Sequence, residues 1–399
     1  MGAGTVGVAV LGWLLFIVVA RLLGAASYAE FSVLWGLFFA LAGLLLGLQQ
    51  ELTRSVSSAR LLPEGQRRSR VLYASLIHGA ILASLVLLSG PLWAPNVFGP
   101  GWPWITLAIA AGLCAYVFII TVNGSLAGRR AWRVYAGVIT ADAALRFALV
   151  VAVCLAGGHL IGWAWAVAGG SLAWLFFLPI RAVRSALRAR GDVGTGVLVS
   201  RSAHAMVATG CSALLIAGFP LLLRVTSQGQ LDARAGVILA AIIVTRSAVL
   251  LPMIAYQAVA ITYFVEHRHE LTSRLLRLLG LLAVGGALAA AGGVLVGPIV
   301  LRLLLGAQFQ TSGPLVGQLV GAAVALAMLT LSGTALLAAN KHGRAAVGWL
   351  VATLVTTIVL ALPLSVETRC VLGLGLGPLV GLVVHLLALA HAKPMPPAA

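Results

Sequence analysis

Acidic residues are what this chain most lacks: nine Asp and Glu in 399 positions, against 26 Lys and Arg. A proton- or sodium-driven transporter normally needs buried carboxylates, and only Asp142 lies deep in an apolar run. Enzymes that build or join lipid-linked sugars generally present acidic residues and a long outer loop; no Asp-x-Asp occurs here and the gaps between apolar runs are short. Cysteine is also scarce. Cys114, Cys154, Cys211 and Cys370 are far apart, in or beside apolar runs, so no disulfide framework or metal spacing is visible and they read as small packing residues. No metal and no cofactor is expected.

Hydrophobic residues are abundant: 61% of the chain, with 9% charged and a mean hydropathy of +1.08. The apolar residues fall into about twelve runs of roughly 20 residues, the length a helix needs to cross the hydrocarbon core. The runs are 4–22, 28–50, 71–90, 104–126, 134–156, 160–180, 200–223, 236–258, 275–297, 314–338, 345–363 and 370–392. No basic n-region precedes the first run, so a cleaved signal is not expected. Val6 breaks the myristoylation pattern. The gap 91–103, rich in Pro and Trp, reads as an interfacial turn with its indoles at headgroup level.

The cations alternate between gaps. Every second gap holds a cluster: Arg54, Arg60, Arg67, Arg68 and Arg70; Arg129, Arg130 and Arg133; Arg181, Arg184, Arg188 and Arg190; Arg268, Arg274 and Arg277; Lys341 and Arg344; and Lys393. The other gaps hold only Arg21, Arg224, Arg234, Arg302 and Arg369. Cytoplasmic loops are enriched in Lys and Arg, so both termini are expected in the cytoplasm of a multi-pass protein of the cell membrane. A net charge of +17 would suggest nucleic acid in a soluble protein. Here topology and anionic lipid headgroups account for it, and no nucleic-acid partner is expected.

The chain reads as a duplication. Leu126-Ala127-Gly128-Arg129-Arg130-Ala131-Trp132-Arg133 matches Leu337-Ala338-Ala339-Asn340-Lys341-His342-Gly343-Arg344 in the pattern Leu-Ala-small-x-basic-x-x-Arg. Val97-Phe98-Gly99 pairs with Leu304-Leu305-Gly306 at a similar offset, roughly 210 residues. An offset of six spans preserves orientation. The expected fold is therefore an all-α polytopic membrane protein with about twelve transmembrane helices in two six-helix lobes, 1–190 and 191–399, related by a pseudo-two-fold axis normal to the membrane. Lobes of this kind belong to transporters far more often than to enzymes. Gly-x-Gly runs such as Gly373-Leu374-Gly375-Leu376-Gly377 follow no strand and read as helix-packing surface rather than nucleotide loops.

A charge near the bilayer centre costs about 2.5–3.5 kcal/mol on insertion scales, so each one needs a reason. Asp142 and Arg146 stand four apart on one helical face: either an internal ion pair or a pair lining a water-filled cavity. Arg246 sits mid-span with no acidic residue between Asp232 and Glu266, which leaves Asp142 on another helix, water, backbone carbonyls or an anionic ligand as its partner. Pro252 is expected to bend the same helix. Glu51 and Arg54 could close an inner gate or form a solvated helix end, and Arg21 and Glu30 flank the first outer turn in the same two ways. His78, His204 and His385 read as hydrogen-bonded packing residues.

Ala20-Arg21-Leu22-Leu23-Gly24, Tyr28-Ala29-Glu30-Phe31 and Gln50-Glu51-Leu52-Thr53-Arg54 together resemble the opening of polysaccharide-type flippases of the multidrug/oligosaccharidyl-lipid/polysaccharide (MOP) exporter superfamily. The Leu-Ala-Gly-Arg-Arg segment at 126–130 is similar to that family too, while Ala29 replaces its usual Gly. The resemblance implies a transporter, not an enzyme, that moves an undecaprenyl-pyrophosphate-linked glycan or a similar anionic lipid-linked sugar, with membrane lipids and glycan-assembly proteins as partners. By place along the chain it implies Arg21, Arg54 and Arg246 as cavity arginines; Arg146 is a further cavity candidate from its own position in the fifth run. Two rivals are a cation-coupled multidrug extruder of the same superfamily and a polytopic glycan polymerase or glycosyltransferase.

Overall fold

The computed structural model describes residues 2–63, 68–227, 231–339 and 341–391; Arg67 and Lys393 of the basic gaps lie outside them. Thirteen α-helices are described: α1 Gly2–Ala59, α2 Val71–Phe98, α3 Trp102–Gly128, α4 Trp132–Leu155, α5 Leu160–Gly170, α6 Arg181–Leu187 and α7 Thr195–Ile216, then α8 Phe219–Thr226, α9 Ala233–Glu266, α10 Leu271–Leu305, α11 Gly313–Ala338, α12 His342–Leu360 and α13 Val366–Ala390. No β-strand occurs among the described residues. Hydrocarbon offers the backbone no hydrogen bonds, so each apolar run must satisfy its own N–H and C=O groups as helix.

Nine segments among the described residues are long and apolar enough to cross a membrane, and the bent pair α7–α8 makes a tenth. Two of them, Gly7–Ala59 and Val71–Gly128, are long enough for two crossings each. That accounts for the twelve expected. The chain folds back at Gly24, whose φ of 76° and ψ of 170° break the helix. Phe16 and Trp35 consequently stack edge to face with centroids 5.2 Å apart, whereas a straight helix would separate them by about 28 Å.

Three spans depart from the sequence reading. The segment 91–103 is not a turn along its length: α2 continues through Pro91 and Pro95 to Phe98. The chain turns only at Gly99, with φ 66°, and the short 3₁₀ stretch Gly99–Gly101. Each proline removes one backbone bond, a loss that membrane helices tolerate. Trp93 donates its indole N–H to Ser89 Oγ at 3.0 Å on the preceding turn. The sixth span is α only to Gly170 and finishes as 3₁₀ over Ala173–Phe177. The seventh is bent by 69° between α7 and α8.

The chain forms two compact units, Met1–Val225 and Thr226–Ala399. The helix α7, which the repeat would assign to the second lobe, thus packs in the first unit, along the second half of α1. Gly43 and Gly47 of α1 face Ala213 and Ala205 so closely that a Cβ at either glycine would collide with them. Thr209 Oγ1 lies 3.2 Å from the Leu44 carbonyl. Small residues at a helix seam allow the van der Waals contact that replaces hydrophobic driving force in lipid. In the second unit, α10 packs on α11 through Gly286 against Val324 and Gly297 against Val316. The helices α12 and α13 meet at Gly348, Gly377 and Gly381, where Thr356 donates to the Gly373 carbonyl at 2.9 Å.

Candidate functional site

Arg246 stands on α9 where that helix meets α11 and α13. With Ile242, Thr245, Leu319, Ala322, Ala323, Leu326 and Leu374 it lines a cavity of about 10 Å³, the scale of a single water. Thr245 returns its hydroxyl to the Ala241 carbonyl at 2.8 Å. Arg246 is partly buried and is the ionisable residue of the lining. The chamber as it stands is too small for a phosphate.

Asp142 and Arg146 are brought together. Arg146, 2% exposed, donates Nη2 to Asp142 Oδ1 at 2.6 Å and Nη1 to the Val167 carbonyl of α5. The ring centroids of Phe38 and Phe39 each lie 5.2 Å from its guanidinium carbon. One side chain of α4, neutralised by an ion pair on its own helix, therefore fastens α5 through a carbonyl and α1 through two aromatic faces. Gly170 gives it passage, since a Cβ there would lie 2.6 Å from Arg146 Cβ. The i, i+4 spacing predicted the pair; nothing local in the sequence indicated Phe38, Phe39 or Val167.

Glu51 and Arg54 also meet, at 2.6 Å, and a second carboxylate joins them. Arg54 Nη1 donates to Asp192 Oδ2 at 2.9 Å, and Ser55 Oγ donates to Asp192 Oδ1 at 2.7 Å. Partial burial pushes the Asp192 pKa up, but the bonds from Arg54 and Ser55 outweigh it and hold the carboxyl below the usual range. Around this cluster the backbone is strapped. Gly191 donates to the Ser69 carbonyl at 2.8 Å and Val71 to that of Ala189 at 3.1 Å, and Arg70 and Arg190 form an antiparallel bridge. Asp192 carried no motif and was missed by the sequence reading; its partner is 138 positions away.

Arg21 and Glu30 are both exposed on either side of the Gly24 break. Arg224, on α8, donates to the Asn96 and Val97 carbonyls at 2.9 and 3.2 Å. The three span histidines are all hydrogen-bonded: His78 to the Ala74 carbonyl and His204 to that of Ser200, each at 2.8 Å. His385 is fully buried and bridges three helices, with Nδ1 2.8 Å from Ser332 Oγ and Nε2 2.9 Å from the Ala345 carbonyl. Among the described residues no group of three or more His, Cys, Asp or Glu could hold a metal.

No protein-family model matches the chain. Among solved structures, an inward-facing multidrug resistance MATE family transporter of the MOP superfamily superposes with a TM-score of 0.68 at 14% identity, over 97% of each chain. The lipid II flippase MurJ in an inward closed conformation also gives 0.68, at 13% identity over 97% of this chain and 87% of the other. A MOP superfamily transporter from Pyrococcus furiosus, described as having a binding pocket of reverse polarity that suggests a different function, gives 0.62 at 14% identity over 97% and 94%. At these identities the likeness establishes the fold. Closer relatives are proteins of Mycobacterium tuberculosis and Mycobacterium bovis that carry only the description "uncharacterized protein", each 38% identical over 397 residues, 98% of this chain and 91% of theirs. A second M. tuberculosis protein so described is 38% identical over 93% of this chain and 86% of its own. The chain belongs to the family of these mycobacterial proteins, and its own fold is that of the MOP superfamily transporters.

Proposed function

We propose that the protein is an alternating-access transporter that carries an anionic lipid-linked oligosaccharide or polysaccharide precursor across the cytoplasmic membrane. The observation that carries this reading is the sign of the ionisable groups within the spans. The deep carboxylate, Asp142, is already held by Arg146, while a cavity in the second unit is lined by Arg246. A pyrophosphate bears about two negative charges, and a guanidinium fork binds phosphate through two parallel N–H···O bonds. Such a surface suits an anionic headgroup and repels a cationic drug. Among proteins of this fold, one is named a lipid II flippase and another is described by the reversed polarity of its pocket.

In this reading Arg246 contacts the pyrophosphate in a state where its cavity has widened. Arg146 and Arg54 join by exchanging Asp142 and Glu51 for phosphate, and Arg21, with Glu30 nearby in sequence, serves the opposite mouth. Binding and release suffice, so no covalent step and no cofactor is required. The rival is a cation-coupled multidrug extruder, favoured by the equal TM-score of a MATE transporter and by the presence of Asp142.

The test is reconstitution in liposomes that contain a fluorescent undecaprenyl-pyrophosphate saccharide, with movement read by dithionite quenching. Arg246→Ala should slow movement by about tenfold or more, equivalent to about 1.4 kcal/mol. Arg246→Lys should recover only part, since lysine keeps the charge and loses the fork. Normal movement by a folded Arg246→Ala protein would sink the anion assignment. Efflux of a lipophilic cation on a proton or sodium gradient, without lipid movement, would establish the rival.

A further inference from the structure

The segment joining α5 to α7 carries a feature that transport of a headgroup does not use. After the 3₁₀ turn Ala173–Phe177, α6 buries Val183 and Ala186 against Val122, Leu126 and Val138 of α3 and α4. Arg129 Nη1, from the end of α3, donates to Ser185 Oγ at 2.7 Å and fixes the docking. The opposite face is a stripe of exposed cations, Arg181, Arg184 and Arg188, at the spacing of successive helical turns. Arg130 and Arg133, in the neighbouring α3–α4 connection, are exposed as well.

None of these cations is in an ion pair among the described residues, and the nearby acids Glu51 and Asp192 are both taken by Arg54. Arg184 spends Nη1 on the Leu178 and Pro179 carbonyls, at 2.9 and 2.7 Å, which leaves the rest of its fork outward. In the second unit one basic-loop arginine has a carboxylate and another a carbonyl. Arg274 is paired with Glu270 at 3.0 Å and bonded to Tyr263 at 2.8 Å, and Arg344 donates to the Ala388 carbonyl at 2.8 Å.

Directly before the stripe the chain exposes large apolar side chains: Leu172 at 45%, Leu175 at 43%, Phe176 at 71% and Ile180 at 39%. Apolar groups beside a row of arginines mark a segment lying at the boundary between acyl chains and headgroups. We infer that residues 172–190 form a binding platform for anionic phospholipid headgroups of the leaflet that faces the basic loops. The exposed Leu and Phe side chains lie among the acyl chains, and Arg181, Arg184 and Arg188, joined by Arg130 and Arg133, hold the phosphates. The platform continues directly into the Arg70–Arg190 bridge and Asp192, so lipid bound there bears on the same strap that secures α1.

The test uses the full-length protein in nanodiscs of phosphatidylcholine alone or with 30% phosphatidylglycerol added, read by thermal unfolding and by native mass spectrometry of retained lipid. Anionic lipid should raise the unfolding midpoint of the wild type by several degrees and leave bound phosphatidylglycerol on the released protein. Arg181→Gln/Arg188→Gln, which spares the backbone bonds of Arg184, should lose at least half of both effects. Arg277→Gln/Arg344→Gln in the second unit should keep them. An equal response of the two double variants, or a wild type indifferent to lipid charge, would overturn the platform. Soluble pyrophosphate producing the same shift as the lipid would also overturn it, since the arginines would then be a headgroup-independent anion site.

Discussion

Arg54 and Asp192 stand 138 residues apart in sequence, yet their charged groups lie 2.9 Å apart. Their pairing fastens the basic end of α1 to the connection that precedes α7. Arg54 is 40% exposed, so screening limits the pair to about 0–1 kcal/mol; its role is to fix register rather than to supply stability. Because the folded carboxyl of Asp192 titrates below its unfolded value, the stabilisation is present at neutral pH and is lost as pH falls below about 4. Asp192→Asn should flatten that acid limb of the unfolding midpoint, measured between pH 7 and pH 3 in detergent. A limb unchanged in the variant would assign the acid sensitivity to another group.

Truncating Asp142 should be far more damaging. Asp142→Ala leaves the 2%-exposed Arg146 guanidinium without its carboxylate, at a cost of about 3–5 kcal/mol. Monodisperse yield after extraction should collapse. Asp142→Leu/Arg146→Met, which removes both charges and fills the space, should restore much of it. If the double variant fares no better than the single, the pair does more than neutralise itself.

The His385 bridge gives a test of packing in the second unit. Ser332 and Ala345 occupy both ring nitrogens, and the ring passes where a Cβ on Gly348 would stand. Gly348→Ala should therefore destabilise by about 1–3 kcal/mol through overpacking. Gly348→Ala/His385→Ala should be less additive than two distant changes, as expected of groups in contact. Thermal unfolding in one detergent reads both values.

Orientation is open to direct measurement. Single cysteines at exposed positions in 181–190, in 127–133 and at Arg344, placed in a variant lacking the four native cysteines, should resist impermeant thiol reagents in intact cells. Labelling of 181–190 from outside would reverse the assignment of the cytoplasmic side.

Parts of the architecture were legible because they are properties of short sequence windows. The twelve crossings follow from run length, and the break at Gly24 and the turn at Gly99 fall at glycines with positive φ. Pro91 and Pro95 misled, because a proline reads as a stop in water while a membrane helix has no better alternative than to continue through it. The Asp142–Arg146 and Glu51–Arg54 pairs were legible from i, i+4 and i, i+3 spacing.

What the sequence by itself determined, then, is which segments are helical and apolar and which connections are basic. Hydrophobic partition and backbone satisfaction are decided segment by segment, with no reference to neighbours. Tertiary structure decided which charges meet. Asp192 closing on Arg54, Phe38 and Phe39 flanking Arg146, and His385 joining α11 to α12 all depend on the rotation and approach of helices distant in sequence. That approach is set by small-residue seams such as Gly47 against Ala205, where the absence of a side chain, invisible as a signal along the chain, lets two backbones touch.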